Sequence, residues 1–421
     1  MIETENRVEI DVRARERASP SPYRSVSHNG DGQLIAGRED VTVQGNASAE
    51  KTVICAVLAL VTLGLVMVYS CTLFAPHISD PGYKLRRQIL WVVISIVSMI
   101  LVYQTDFRQF TKRRNIIMAL TGLLLLLVFV PGLGRTVNGA QRWIHVFNFT
   151  FQPSEFAKLG LVIFISSYIS EKREEIRNFT SGFLPLAAAI AVVTILILAG
   201  RDIGTSLFVA VLGFSLVFMG GAKLSHIIVV TALSLLPLIG IAFYKFEYAK
   251  ERIATFLSPA GDPLNKGYQI MQSLVALGSG GTFGVGLGSS RQKLFFLPEN
   301  DTDFIFSIMG EEFGFVGTSV VIILFMVILW QGFRIAKSAQ DTCAFLLACG
   351  VTLMVTAQAL LNIAVVTATI PPKGIALPFI SSGGSSLFIS AVSMGFLLSV
   401  ARHARRESQS NMLPENVQCH E

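Results

Sequence analysis

Charge is what this chain has least of. Only 15% of its 421 residues are Asp, Glu, Lys or Arg, against 52% hydrophobic residues, and the mean hydropathy is +0.58. A water-soluble domain carries about 25% charged residues, so an ordinary soluble globular class is excluded. Histidine and cysteine are scarce too. The six histidines are scattered, so no zinc-type ligand spacing marks a metal site. The five cysteines, Cys55, Cys71, Cys343, Cys349 and Cys419, lie mostly inside apolar runs without a CxxC pair, which argues against a disulfide framework or a zinc ribbon. The net charge of +6 arises from cations flanking apolar spans rather than from a basic stripe with interleaved aromatics. Those cations read as topology and headgroup anchors, and nucleic acid is not expected as a partner.

What the chain has instead is a succession of apolar runs. Ten are long enough, or nearly so, for the roughly 20 residues a bilayer crossing needs. They cover 52–75, 88–104, 116–131, 153–170, 182–199, 203–220, 225–246, 304–331, 342–368 and 384–401. The predicted fold class is therefore all-α, a polytopic membrane protein of about ten transmembrane helices, with a long loop between the seventh and eighth. With the N-terminus inside, the short inner loops and flanks hold thirteen Lys and Arg against seven outside, so both termini are expected to be cytoplasmic. Residues 1–50 are polar and mixed in charge, lack an apolar segment of signal-peptide type, and read as a disordered cytoplasmic tail. The membrane domain is expected over 51–402 and a second cytoplasmic tail over 403–421.

Within this frame the stretch Leu297 to Glu312, LPENDTDFIFSIMGEE, stands out, with five carboxylates at the junction of a polar loop and an apolar run. A carboxylate in lipid costs about 2.5 to 3.5 kcal/mol, so such a cluster points to function. Asp303, the last polar residue before Phe304, suits a general base with a pKa raised by desolvation; capping the eighth helix is the competing role. Glu299 and Asp301 could orient an acceptor, bind a divalent cation or stay solvated, with Asp301 assigned to solvent. Glu311 and Glu312 lie about two turns into the helix and should face the interior, pairing with a cation or backbone groups.

Other polar residues gather around the same face. Glu155 and Lys158 stand at i and i+3 on the fourth span, the spacing of an intrahelical ion pair that lines a polar cavity or serves structure alone. The loop 247–303 contains GYQIMQSLVALGSGG, which reads as an amphipathic helix with Gln269, Gln272 and Ser273 on one face and Ile270, Leu274 and Leu277 on another. The glycines from Gly278 to Gly288 read as close backbone packing and tight turns. Arg142, Arg135, Arg201, Lys373 and the Lys84, Arg86, Arg87 cluster are the outer cations. Ser385 and Ser386, after Ser381, Gly383 and Gly384, could cradle a pyrophosphate or only allow tight helix packing.

The runs SPAGDPLNKGYQIMQSLVALGSGG, GVGLGSSRQKLFFLPENDTDFIFSIMGEEFG and IPPKGIALPFISSGGSSL, with Arg142-Trp143 and FQPSEFAKLG earlier, resemble the SEDS family of polytopic cell-wall proteins, the FtsW, RodA and SpoVE group. The likeness covers residues 52–401. Lys373 before LPF is similar to the FtsW and SpoVE branch. Two positions depart from the pattern: Gly200-Arg201-Asp202 stands where Glu-Pro-Asp is usual, and Ser382 where an aromatic is common.

The resemblance implies a peptidoglycan glycosyltransferase polymerising lipid II at the outer face of a bacterial cytoplasmic membrane, in septal cell-wall synthesis. Asp303 matches the family's catalytic aspartate. Arg142, Glu155, Lys158, Gln269, Gln272, Ser273, Lys293, Glu299, Lys373, Ser385 and Ser386 would form the substrate-binding side, while Asp202, Glu311 and Glu312 would shape the polar cavity. The family's partner is a single-span class B penicillin-binding protein with transpeptidase activity, alongside other division proteins. No cofactor is implied; a divalent cation, Mg or Mn, is compatible with the acid cluster. The alternatives are a lipid II flippase, for which buried charges would line a transport path, and a non-catalytic division scaffold.

Overall fold

The computed structural model describes residues 37–72, 82–137, 140–146, 149–233, 256, 266–294 and 296–412. The chain divides into two units, Met1–Val41 and Thr42–Glu421. Of the first, only the opening residues of a helix are described.

Twelve helices are described. They are α1 (Gly37–Thr72), α2 (Gly82–Gln104), α3 (Phe107–Lys112), α4 (Arg114–Leu127), α5 (Pro153–Glu171), α6 (Leu184–Ala199), α7 (Ile203–Met219), α8 (Leu224–Leu233), α9 (Lys266–Ser279), α10 (Ile305–Ser338), α11 (Thr342–Val366) and α12 (Gly384–Met412). Nine of the ten apolar runs coincide with a helix, and of the seventh the described residues, up to 233, are helical. Six helical segments are long and apolar enough to cross a membrane: Ala47–Thr72, Gly82–Gln104, Phe179–Ala199, Ile305–Ser338, Thr342–Val366 and Gly384–Gln409. The third of these joins a π-helical turn, Phe179–Phe183, to α6. The second half of the seventh run and most of the first half of the 247–303 loop lie outside the described residues.

Burial separates an inner set of helices from an outer one. Along α2 the side chains of Leu90, Val93, Val97, Ile100 and Leu101 are exposed, an apolar face of the kind lipid covers. By contrast α5 is buried on nearly every side, and its Glu155 and Lys158 sit in the protein interior. Pro153 at its first turn needs no backbone N–H and fixes φ for helix entry, so the chain passes directly from loop to buried helix. Asp202 starts α7 by accepting from Thr205 N at 3.0 Å, and Asp341 starts α11 by accepting from Cys343 N and Ala344 N.

Three features correct or extend the expectation from sequence. First, helix continues at both ends beyond the expected domain limits. Residues 37–50 are helical rather than disordered, and α12 runs past 402 to Met412. Glu50 and Arg405 hold the two extensions together at 3.1 Å. Second, residues between the third and fourth spans form a small antiparallel sheet, β1 (Gly134–Val137), β2 (Ala140–Val146) and β3 (Phe149–Phe151) in the order β1-β2-β3. Trp143 pairs with Arg135 and Ile144 with Phe151, with a bulge between Arg135 and Thr136. Third, α10 is broken at Gly314, whose φ of 66° and ψ of −162° are not helical.

The break in α10 is filled by the glycine-rich loop that precedes it. Val285 N and Gly286 N donate to Glu311 O and Glu312 O at 2.9 and 3.1 Å, while Phe315 N and Val316 N donate to Gly281 O and Thr282 O at 2.9 and 3.1 Å. The approach admits no side chain: a Cβ on Gly284 would stand 2.1 Å from Glu312 O, and one on Gly280 1.9 Å from Gly310 O. The expectation that these glycines serve close backbone packing is met here.

Candidate active site

Asp303 ends the turn Asp301–Phe304 that leads into α10, and its backbone is held from outside. Three successive carbonyls are each bound by a separate donor. Ser382 N donates to Asp301 O at 2.9 Å, Ser381 Oγ to Thr302 O at 2.6 Å, and Asn362 Nδ2 to Asp303 O at 2.8 Å. At the start of the turn Glu299 adopts a left-handed φ of 56°, and its O accepts from Thr302 N and Phe304 N. The acidic loop is thereby fastened to the 371–383 segment and to α11.

The Asp303 side chain is treated differently. Among the described residues its carboxylate makes no hydrogen bond or ion pair, although the protein encloses much of it. Burial pushes its pKa up to about 7; Glu299 adds repulsion, Arg142 pulls the other way, and Asp202 and Asp301 add smaller repulsions. Gly374 leaves the space beside it, since a Cβ there would come within 2.8 Å of Asp303 Oδ2. The capping role does not apply: no side-chain bond caps α10.

Around this carboxylate the structure assembles much of the expected set. The sheet carries Arg142, whose Nε lies 3.8 Å from Asp202 Oδ2. Gln141 N donates to Gly200 O at 3.0 Å and Gln141 Nε2 to Val128 O at 2.9 Å, which fixes the sheet over the α6–α7 turn. Lys373 packs on the first turn of α7, where a Cβ on Gly204 would meet its side chain. Glu155, Lys158, Gln358, Lys373 and Gly374 share the lining of one polar cleft. At its floor Lys158 Nζ is 2.8 Å from Glu155 Oε1, 2.5 Å from Gln358 Oε1 and 5.6 Å from the centroid of the Phe208 ring. The i, i+3 pair predicted from spacing is present, and Gln358 completes it.

Several expected site residues are committed elsewhere. Lys293 was expected to face substrate; its side chain is 1% exposed and bonds Glu312 Oε1 at 2.7 Å and Ser70 Oγ at 2.9 Å. A buried ammonium needs such a partner, and Glu312 needs a cation. Ser273 likewise is fully buried, in hydrogen-bond contact with Ser307 Oγ and donating to Val366 O, both at 2.7 Å. It shares the inner face of α9 with Ile270 and Ala276, while Leu274 of the predicted apolar face is exposed. Gln269 and Gln272 are partly exposed. Ser385 and Ser386 are buried and used internally: Gln152 N and Gln358 Nε2 donate to their hydroxyls at 3.2 and 3.3 Å.

Asp301, assigned to solvent from sequence, is buried and pairs with Lys84 at 2.8 Å. Ser382 Oγ also donates to it, at 3.1 Å. The Lys84 cluster is therefore built into the site: Arg87 Nη2 reaches Thr150 Oγ1 at 3.1 Å. Glu311 and Glu312 face inward as expected. Glu311 accepts from Ser290 Oγ, Arg291 N and Gln292 N, and Glu312 from Ser70 Oγ and Lys293 Nζ. Among the described residues no three His, Cys, Asp or Glu side chains converge as a metal-ligand group.

Gln358 and Asn362 were passed over in the sequence, where they sit in an apolar run. The available signal was their i, i+4 spacing, two amides on one face of a helix otherwise almost free of polar side chains. Arg201 adopts a left-handed φ of 61°. Proline, usual at that position in the pattern this chain resembles, is locked near −65°, so the departure changes the backbone of the turn that carries Asp202.

Comparison with known proteins agrees with this architecture. The family model for FtsW, RodA and SpoVE, described as cell cycle proteins, matches residues 51–406. The stage V sporulation protein E of Bacillus subtilis (strain 168) is 39% identical over 350 residues, spanning 83% of this chain and 95% of the relative. A probable peptidoglycan glycosyltransferase FtsW of Geobacter sp. (strain M18) is 40% identical over 350 residues, spanning 82% and 95%. Among solved structures, a chain from work on the structural coordination of polymerization and crosslinking by a peptidoglycan synthase complex superposes with a TM-score of 0.69 at 28% identity, covering 84% of this chain and 97% of that one. The rod shape determining protein RodA of Thermus thermophilus gives a TM-score of 0.59 at 27% identity, covering 83% and 95%. From its multi-pass helical fold to its acidic loop, the chain belongs to the FtsW/RodA/SpoVE family.

Proposed function

We propose that this chain is a peptidoglycan glycosyltransferase that polymerises lipid II at the outer face of the cytoplasmic membrane during septal wall synthesis. One observation carries the reading: among the described residues Asp303 offers a carboxylate without a hydrogen-bond partner, held near neutral pKa, against Gly374, which lines a polar cleft together with Lys373. A base whose pKa lies close to the working pH is ionised in a substantial fraction of molecules and still holds the proton it accepts.

In the proposed step Asp303 removes the proton from the acceptor sugar hydroxyl. The hydroxyl oxygen forms a bond to the anomeric carbon of the donor from the face opposite the pyrophosphate. The carbon–oxygen bond to pyrophosphate breaks with its electron pair, and the anomeric centre inverts. Arg142 and Lys373 offset the charge that develops on the departing lipid pyrophosphate. Glu155 and Lys158, neutral as a pair, give the cleft polar walls without attracting a counter-ion; Glu299, Gln269 and Gln272 are assigned to the acceptor in this reading.

The excess of cations on the other loops supports placing both termini in the cytoplasm and the acidic loop outside. A single-span class B penicillin-binding protein is the proposed partner, in keeping with the synthase complex to which a solved relative belongs.

The test is glycan polymerisation from labelled lipid II in liposomes, with the partner present. Asp303→Asn should abolish product while the protein still accumulates and binds substrate. Unchanged product would remove Asp303 as the base. Protein-dependent passage of lipid II across the membrane without polymer from either form would favour a flippase.

A further inference from the structure

Two amides one turn apart on α11 hold the two halves of the cleft. Gln358 bonds Lys158 on one side and donates to Ala376 O at 3.0 Å on the other. Asn362, 1% exposed, uses its single Nδ2 twice, donating to Asp303 O at 2.8 Å and to Ile375 O at 2.7 Å. Among the described residues its buried Oδ1 has no partner. A buried amide oxygen left unpaired is costly, and turning the amide over would set that oxygen against two carbonyls. The orientation is therefore imposed by the two acceptors, and the side chain is spent on joining them.

Those acceptors belong to the residues that matter most in the cleft. One is the backbone of Asp303; the other follows Gly374, which lies against the Asp303 carboxylate. Ser381 and Ser382 hold the two preceding carbonyls, but both come from the same irregular 371–383 segment that carries Gly374. Asn362 alone among these three donors comes from a transmembrane-type helix, a rigid element.

We propose that Asn362 is the positioning residue for the reaction: it ties Asp303 and the Lys373–Gly374 segment to one fixed point on α11, so that base and cationic wall keep their spacing as substrate enters. This rests on the reading of Asp303 as the base. Loss of the tether leaves Arg142 on its sheet and Lys158 on α5, but frees both the Asp303 turn and the Lys373–Gly374 segment, so the carboxylate drifts toward water and its spacing from Lys373 is lost. A base displaced by about 1 Å costs on the order of 100-fold in rate.

The experiment uses the full chain with its partner in liposomes and compares Asn362→Leu, Asn362→Gln and Asp303→Asn for polymerisation of labelled lipid II across pH. Asn362→Leu should lower kcat by about 10- to 100-fold with KM within about twofold. The acid limb of its rate profile should move below that of the parent, because a freed carboxyl regains water and returns toward the ordinary carboxylate range. Asn362→Gln, which keeps the donor, should restore part of the rate. If Asn362→Leu does not accumulate, Asn362→Ala is measured in the same way. Parental kcat in Asn362→Leu while Asp303→Asn is inactive overturns the positioning role alone. A loss of rate that tracks folded protein with no movement of the acid limb also overturns it. Full activity in Asp303→Asn removes the base, and the positioning role with it.

Discussion

Two groups of carboxylates, less than three helical turns apart in one continuous stretch, have opposite fates. Glu311 and Glu312 are saturated, with partners on every oxygen: Ser290, two backbone amides, Ser70 and Lys293. Asp303 has its backbone carbonyl bound and its side chain left open. The difference teaches what burial alone does not say. A buried acid with full partners fixes structure, while a part-buried acid whose neighbours hold only its main chain is kept available for proton transfer.

The comparison breaks most sharply at its two ends. Asp303→Asn should reduce polymerisation by about 100- to 10,000-fold, the range a general base contributes, with unfolding little affected or shifted upward. The sign follows from the raised pKa. The folded state binds this proton more tightly than the unfolded chain, so the group's contribution to stability is full below the ordinary carboxylate range and is lost as pH rises through about 7. Asparagine removes that loss, so above pH 7 the variant should unfold no more easily than the parent. The parent's polymerisation rate should rise with pH through about 7 and then level off, as measured by initial rates on labelled lipid II.

At the other end, Lys293→Met strands Glu312 without its cation and should destabilise the protein by about 3 to 5 kcal/mol. Thermal unfolding in detergent measures this, and the double change with Glu312→Leu should recover most of it. If the single change left stability intact but abolished polymerisation, the two carboxylate groups would not differ as described.

A smaller effect sharpens the Asp303 side. Gly374→Ala places a methyl group against Oδ2, and kcat should fall about tenfold with little change in unfolding. Smallest of all is Lys84→Met. The pair with Asp301 has a half-exposed lysine, so the loss in stability should stay within about 1 kcal/mol, read from denaturant or thermal midpoints.

Which parts of this were legible depends on whether the information is local. The apolar runs, the Glu155–Lys158 pair and the inward glutamates follow from residues a few positions apart, and the structure places them as spacing predicts. The partners could not be read. Lys293 meets Ser70, and Asp301 meets Lys84, across 223 and 217 residues of chain, and no pattern in either segment announces the other. Asn362 was hidden for a different reason: its i, i+4 spacing from Gln358 marks a polar face in an apolar run, but only its two acceptors show its task. The small sheet had a local signal, the Asn138-Gly139 pair between residues of strand type, but a loop joining two membrane spans carries little expectation of strand. Asp301 was misassigned because its immediate neighbours are polar, which describes the sequence around it and not the lysine folded over it.

The break at Gly314 also bears on how the protein is made. An uninterrupted apolar helix brings its own backbone hydrogen bonds into the bilayer and can insert by itself. The outer end of α10 lacks that independence, because among the described residues four of its polar main-chain groups, at Glu311, Glu312, Phe315 and Val316, bond to residues 281–286. Each such group left open in hydrocarbon costs several kcal/mol. The loop is synthesised before the helix it completes, so a change that shortens or stiffens residues 281–286 is expected to lower the amount of protein that integrates, measured as membrane-inserted yield, before it alters the chemistry of the site.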